Sequence, residues 1–181
     1  MSLHNQLQKL LVKDRLSEVA DDNIISLKGG QGKNRYSVDL TDIDTKDISV
    51  INLGKNPHSS LINEYGGYKK ICDYLILVPQ EKDNRVVALL CELKKTYQGK
   101  GGEQLNASIP FLDYIKSLLH THFDGNRQFK HQFIILACKM ASRFDKQTVR
   151  PNPIQKQTIN FKRIRITLIL GETIPFKRIL T

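Results

Sequence analysis

The chain has 181 residues, of which 40% are apolar and 25% charged, with three cysteines and a formal net charge of +10. That length and apolar content fit one soluble domain, residues 1–181, built on a single core. No apolar run is long enough to cross a bilayer, which excludes a membrane-spanning helix, and the first six residues carry neither the basic nor the apolar region of a secretory leader.

Leu3, Leu7, Leu10, Leu11, Leu16 and Val19 keep a mostly helical spacing, which predicts a helix over 3–20 ended by Asp21-Asp22-Asn23. Gly29-Gly30-Gln31-Gly32-Lys33-Asn34-Arg35 is a basic loop without the GxxxxGK[S/T] pattern, so a nucleotide-binding P-loop is rejected. Residues 36–40 and 48–53 read as short strands, 54–60 as a loop, and 61–65 as a short helical turn closed by Gly66-Gly67. The runs 71–78 and 86–94 are apolar and strand-like, and the polar segment 79–85 between them predicts a hairpin.

A helix is expected from about Glu103, with Leu112, Ile115, Leu118 and Leu119 at helical spacing. Pro110 either kinks it or opens a second helix from its first turn. His120-Thr121-His122 reads as a solvated helix end. Residues 133–138 form a buried strand, and 163–170 a strand alternating Arg163, Arg165 and Thr167 with Ile164, Ile166 and Leu168. The intervening 139–162, with Pro151 and Pro153, reads as a long loop.

Charged residues stand where a buried strand would avoid them: Asp73 in the first hairpin run, and Glu92 and Lys94 at the end of the second. Side chains alternate, so Glu92 and Lys94 share a face. A turn centred near Lys82 and Asp83 sets Asp73 opposite Glu92. Two carboxylates and a lysine then converge. Carboxylate oxygens suit a hard cation such as Mg²⁺ or Mn²⁺, which holds a phosphate and acidifies a bound water. The ammonium can orient that water or stabilise developing charge. Asp44-Thr45-Lys46 repeats the acid-x-Lys pattern but lies in a polar stretch and reads as a solvated loop.

Cys72, Cys91 and Cys138 lie in apolar runs, as reduced thiols of a cytoplasmic protein would. Cys72 and Cys91 each precede an acid and should face away from it. No CxxC or clustered Cys/His spacing supports zinc.

Asp73 followed nineteen positions later by Glu92-x-Lys94, each on a predicted strand, resembles the PD-(D/E)xK nuclease superfamily. Cys72 stands where the motif's proline would be. The resemblance covers the chain as an order of elements and residues 64–104 as motif. It implies an α/β fold: a mixed central sheet flanked by helices with a restriction-endonuclease-like αβββαβ core. It further implies a metal-dependent nuclease, most simply an endonuclease acting on DNA rather than RNA. Asp73, Glu92 and the Leu93 backbone carbonyl would ligate the metal, and Lys94 would handle the water. Gln104 would support the site, and Glu18 or Glu64 are the options for an upstream acid. A homodimer is a further expectation from the resemblance.

Residues 139–181 hold ten Lys or Arg against two acids, a net +8, while the first 138 residues carry +2. A one-sided basic region fits a polyanion whose phosphates are neutralised by counterion release. Lys69, Lys70, Lys95, Lys100, Arg163 and Arg165 are the expected nucleic-acid contacts. Two alternatives stand beside the nuclease. One is a non-catalytic nucleic-acid-binding domain of the same fold. The other is a protein-binding domain in which Asp73, Glu92 and Lys94 form a structural ion pair.

Overall fold

The computed structural model describes residues 1–11, 15–17, 23–29, 36–43, 47–53, 71–80, 84–94, 101–123, 127–139, 155–159, 161–169 and 173–180. Helix α1 spans Leu3–Leu10. Ser2 caps it by accepting from the Asn5 amide, and the Asp47 carboxylate accepts from the Leu3 and His4 amides at 2.7 and 3.1 Å. Negative charge on free amides at a helix start is favourable on both hydrogen-bonding and dipole grounds. The helix stops at Leu11, whose backbone is extended. This corrects the expectation of a helix to residue 20. Leu3, Gln6 and Leu7 form its buried stripe, and Leu16 instead enters a short strand, β1 (Leu16–Ser17).

The strands that follow are β2 (Ile25–Gly29), β3 (Tyr36–Thr41), β4 (Ser49–Asn52), β5 (Tyr74–Gln80) and β6 (Arg85–Lys94). Next come α2 (Gly101–Ala107) and α3 (Ile109–His122), with Pro110 in the first turn of the second helix. Of the two readings of Pro110, the structure takes the one in which its missing N–H is harmless. The chain continues through β7 (Gln128–Lys139), β8 (Gln155–Ile159), β9 (Phe161–Ile169), β10 (Thr173–Pro175) and a 3₁₀ turn, Phe176–Arg178.

The larger sheet has the order β1-β4-β5-β6-β7-β9-β8, and the smaller one β10-β3-β2. Strands β4, β5 and β6 form an antiparallel meander, β6, β7 and β9 run parallel, and β8 closes the edge antiparallel. The α2–α3 pair is the crossover that the parallel β6–β7 pairing requires.

The central strands of the large sheet are covered on both sides, which is why they read as continuous apolar runs. One face, with Leu75, Leu77, Val86, Ala88, Leu90 and Phe133, packs against Leu3, Leu7, Leu105, Leu112, Ile115 and Leu119 of the helices. The other, with Tyr74, Ile76, Val78, Leu89, Cys91, Leu93 and Ile134, packs against Ile25, Leu27, Val38, Leu40, Ile174 and Phe176. The fold is therefore mixed α/β, but among the described residues the helices lie on one face and the small sheet covers the other. Tyr74 ties the sheets together: its hydroxyl donates to the Lys28 carbonyl and accepts from the Lys28 amide, both at 2.9 Å.

The described parts of the basic segment 139–181 include β8 and β9 of the larger sheet and β10 of the smaller one. The expected loop over 139–162 contains β8, a correction. β8 is the edge strand of the larger sheet, paired antiparallel with β9. Among the described residues, no helix is long and apolar enough to cross a membrane.

Candidate functional site

The site lies where β5 begins and β6 ends. The β5–β6 register runs from Gln80 opposite Arg85 to Tyr74 opposite Cys91. One further step sets Asp73 across from Glu92, the juxtaposition expected from the hairpin. β5 stops there, whereas β6 continues to Lys94 with β7 still beside it. The tip of β6 is thus released from its β5 neighbour. Asp73 stands in for the missing ladder partner: its Oδ2 accepts from the Leu93 amide at 2.8 Å, and its carbonyl accepts from the Leu53 amide at 2.8 Å.

Alternation along β6 turns Glu92 and Lys94 to the face of Leu90, against the helices. Lys94 Nζ lies 2.5 Å from Glu92 Oε1 and donates to Gln104 Oε1 at 2.6 Å. Gln104 Nε2 in turn donates to the Ile71 carbonyl at 3.4 Å. Asp73, Glu92, Lys94 and Gln104 therefore form one cluster. Glu92 is 1% exposed, while the Lys94 side chain keeps 25% of its surface in solvent. The second carboxylate oxygen, Glu92 Oε2, is buried and has no hydrogen-bond partner among the described residues.

The electrostatics follow from that burial. Desolvation first, and the Asp73 charge second, push the Glu92 carboxyl up to about 7, against the opposing pull of Lys94. Burial also raises Asp73, offset by the Leu93 amide and by Lys94. A pair of carboxylates that burial and mutual repulsion hold toward the neutral form gains most from an added cation. The unpartnered Glu92 Oε2 is an oxygen that such a cation could use. Among the described residues no cluster of three His, Cys, Asp or Glu is positioned to hold a metal. A two-carboxylate set suits Mg²⁺, which keeps several waters and takes one or two protein carboxylates together with substrate phosphate oxygens.

The two cysteines beside the acids differ. Cys91 faces the small sheet, opposite Glu92, as expected. Cys72 does not face away from the helices; it precedes β5, outside strict alternation, and packs into the helix-side core. Its amide donates to Ser108 Oγ at 2.8 Å. Ser108 is the cluster residue that the sequence reading missed. Its position before Pro110 reads as a helix cap, and nothing local signals that its hydroxyl is used elsewhere.

Glu18, Glu64, Lys69, Lys70, Lys95 and Lys100 lie outside the described residues. Arg163 and Arg165 stand on β9, at register positions opposite Phe133 and Ile135. His120 and His122 are exposed at the end of α3, as expected. No family model, no curated protein and no solved structure matches the chain.

Proposed function

We propose that the chain hydrolyses phosphodiester bonds in nucleic acid, DNA ahead of RNA, using Mg²⁺ or Mn²⁺. The observation that carries this reading is the buried, unpartnered Glu92 Oε2 in a cluster that also holds Asp73, Lys94 and Gln104. Asp73 and Glu92 would hold the ion. In a strand, a residue's N–H and C=O project to the same side, so the Leu93 carbonyl shares the side on which its amide meets Asp73. That favours it as a third ligand. The ion, when bound, supplies Lewis acidity toward the phosphate and a more acidic water.

The protein's own groups do the rest. Lys94, still partly solvent-exposed, would orient the attacking water or neutralise charge growing on a phosphate oxygen. Gln104 fixes the ammonium from the other side. The order α1, the β4–β5–β6 meander, the α2–α3 pair and the parallel β7 supports the restriction-endonuclease-like core that the motif implies. The formal charge of +10 supports a polyanionic substrate.

The test is cleavage of supercoiled and branched DNA with Mg²⁺ or Mn²⁺ by the native chain, Glu92→Ala and Lys94→Ala. Metal-dependent cutting abolished by both substitutions is the expected result. Salt-sensitive DNA binding with no cutting of any substrate would replace this reading with the non-catalytic binding domain.

A further inference from the structure

We infer that Ser108 is a positioning residue that holds Asp73 in register with Lys94; what that positioning serves rests on the metal-dependent reading above. Ser108 stands between α2 and α3, fully buried, with a helical backbone conformation. A serine in front of a helix ordinarily caps it through its side chain. Here the hydroxyl makes no cap hydrogen bond. It accepts from the Cys72 amide at 2.8 Å and donates to the Gln104 carbonyl at 2.7 Å.

The second contact between α2 and the same segment comes from Gln104, whose Nε2 donates to the Ile71 carbonyl. The Ile71 carbonyl and the Cys72 amide belong to a single peptide unit. Gln104 and Ser108, one helical turn apart, therefore grip both polar ends of the peptide immediately before Asp73. The remaining links close a ring. Asp73 Oδ2 takes the Leu93 amide, Lys94 follows Leu93 in β6, and Lys94 Nζ returns to Gln104 Oε1. Asp73 lies outside the β5 ladder, and this ring, the bond from Leu53 and the hydrogen bond from the Asp73 backbone to the Glu92 carboxylate hold it in position. Partners one shell out from a metal ligand commonly shift metal affinity 10- to 100-fold.

The experiment compares the native chain with Ser108→Ala, Ser108→Thr and, as a destabilised control elsewhere in the core, Ile115→Val. Two quantities are read on each: the amide proton shift of Leu93, which reports the hydrogen bond to Asp73, and the Mn²⁺ dissociation constant from the free-ion paramagnetic resonance signal. Ser108→Ala is expected to move the Leu93 amide upfield and to weaken Mn²⁺ about tenfold. Ser108→Thr, which keeps the hydroxyl, should restore both, and Ile115→Val should move neither. An unchanged Leu93 amide together with unchanged Mn²⁺ affinity in Ser108→Ala overturns the proposal. A native chain that binds no Mn²⁺, but whose Leu93 amide responds to Ser108→Ala, keeps the positioning role and removes the metal reading. If Ser108→Ala does not fold, Ser108→Cys replaces it, since the thiol keeps the size but weakens both hydrogen bonds; the same two shifts support the proposal and their absence overturns it.

Discussion

Asp73 Oδ2 accepts the Leu93 amide at 2.8 Å, so a side chain takes the place that the strand ladder would otherwise fill. β5 has ended and β6 has not. At that point a carboxylate satisfies a backbone donor, keeps a second oxygen for other work, and stays within Coulombic reach of Glu92. Asp73→Ala leaves the Leu93 N–H unpaired and should destabilise the fold by about 1–3 kcal/mol. Asp73→Asn preserves an acceptor and should cost less in denaturant melts, while losing Mn²⁺ binding as fully as the alanine variant. Equal stabilities for the two variants would show that the hydrogen bond contributes nothing.

Glu92 makes stability depend on pH in a specific direction. Its carboxyl is held at about 7, above the ordinary glutamate value of 4.5. The folded state therefore binds the proton more tightly than the unfolded state. The resulting stabilisation is fully present below about 4.5 and lost as pH rises through about 7. Burial drives Asp73 in the same direction. The loss for Glu92 is on the order of 3 kcal/mol. Glu92→Gln should flatten this slope in urea titrations between pH 4.5 and 7.5 and melt above the native chain at pH 8. A native chain whose stability rises over that window would contradict the assignment.

Much of this was legible in the chain, because charges on apolar strands are conspicuous and hairpin register follows from turn placement. Asp73, Glu92 and Lys94 were found that way, and Gln104 came through the resemblance. What the residues did not disclose is non-local. Leu16 reads as a helical position until β4 is there to pair with it. Ser108 reads as a cap until the Cys72 amide, 36 positions away, is brought to it. β10 is three residues long and exists because β3 offers a parallel edge. The helices share one face because the small sheet, assembled from β2, β3 and β10, covers the other.

Lys94 pulls the Glu92 carboxyl back toward its ordinary range through both a hydrogen bond and its charge, with a smaller pull from the Asp73 backbone. Lys94→Ala should therefore do two things. On the proposed function it removes the group that would handle water or phosphate charge, lowering kcat about 10²- to 10³-fold, the loss typical when a transition-state charge stabiliser is removed. It also moves the Glu92 carboxyl further up, so residual cleavage should climb with pH to a higher midpoint than in the native chain. Lys94→Arg should not rescue, because a planar guanidinium cannot replace a point charge 2.5 Å from Glu92 and 2.6 Å from Gln104. A pH–rate profile that falls in amplitude without shifting its midpoint would separate the two roles and leave Lys94 with the first alone.

The cysteines give a prediction that needs no substrate. Burial pushes the Cys72 thiol up to about 12, and burial raises Cys91 well above its ordinary value. The thiolate is the reactive form, so neither side chain should be nucleophilic at pH 8. In the folded protein both should resist iodoacetamide under conditions that label them fully in 6 M guanidinium, as read by peptide mass spectrometry. Cys72 is held by the same segment that Ser108 and Gln104 grip, one residue before Asp73. Its labelling rate is thus a direct gauge of local opening at the site. A divalent cation that binds Asp73 and Glu92 should slow Cys72 labelling while leaving the rate at Cys91, on the far face of the sheet, nearly unchanged. Equal protection of both thiols would mean that the cation stabilises the whole fold, with no preference for the segment that carries Asp73.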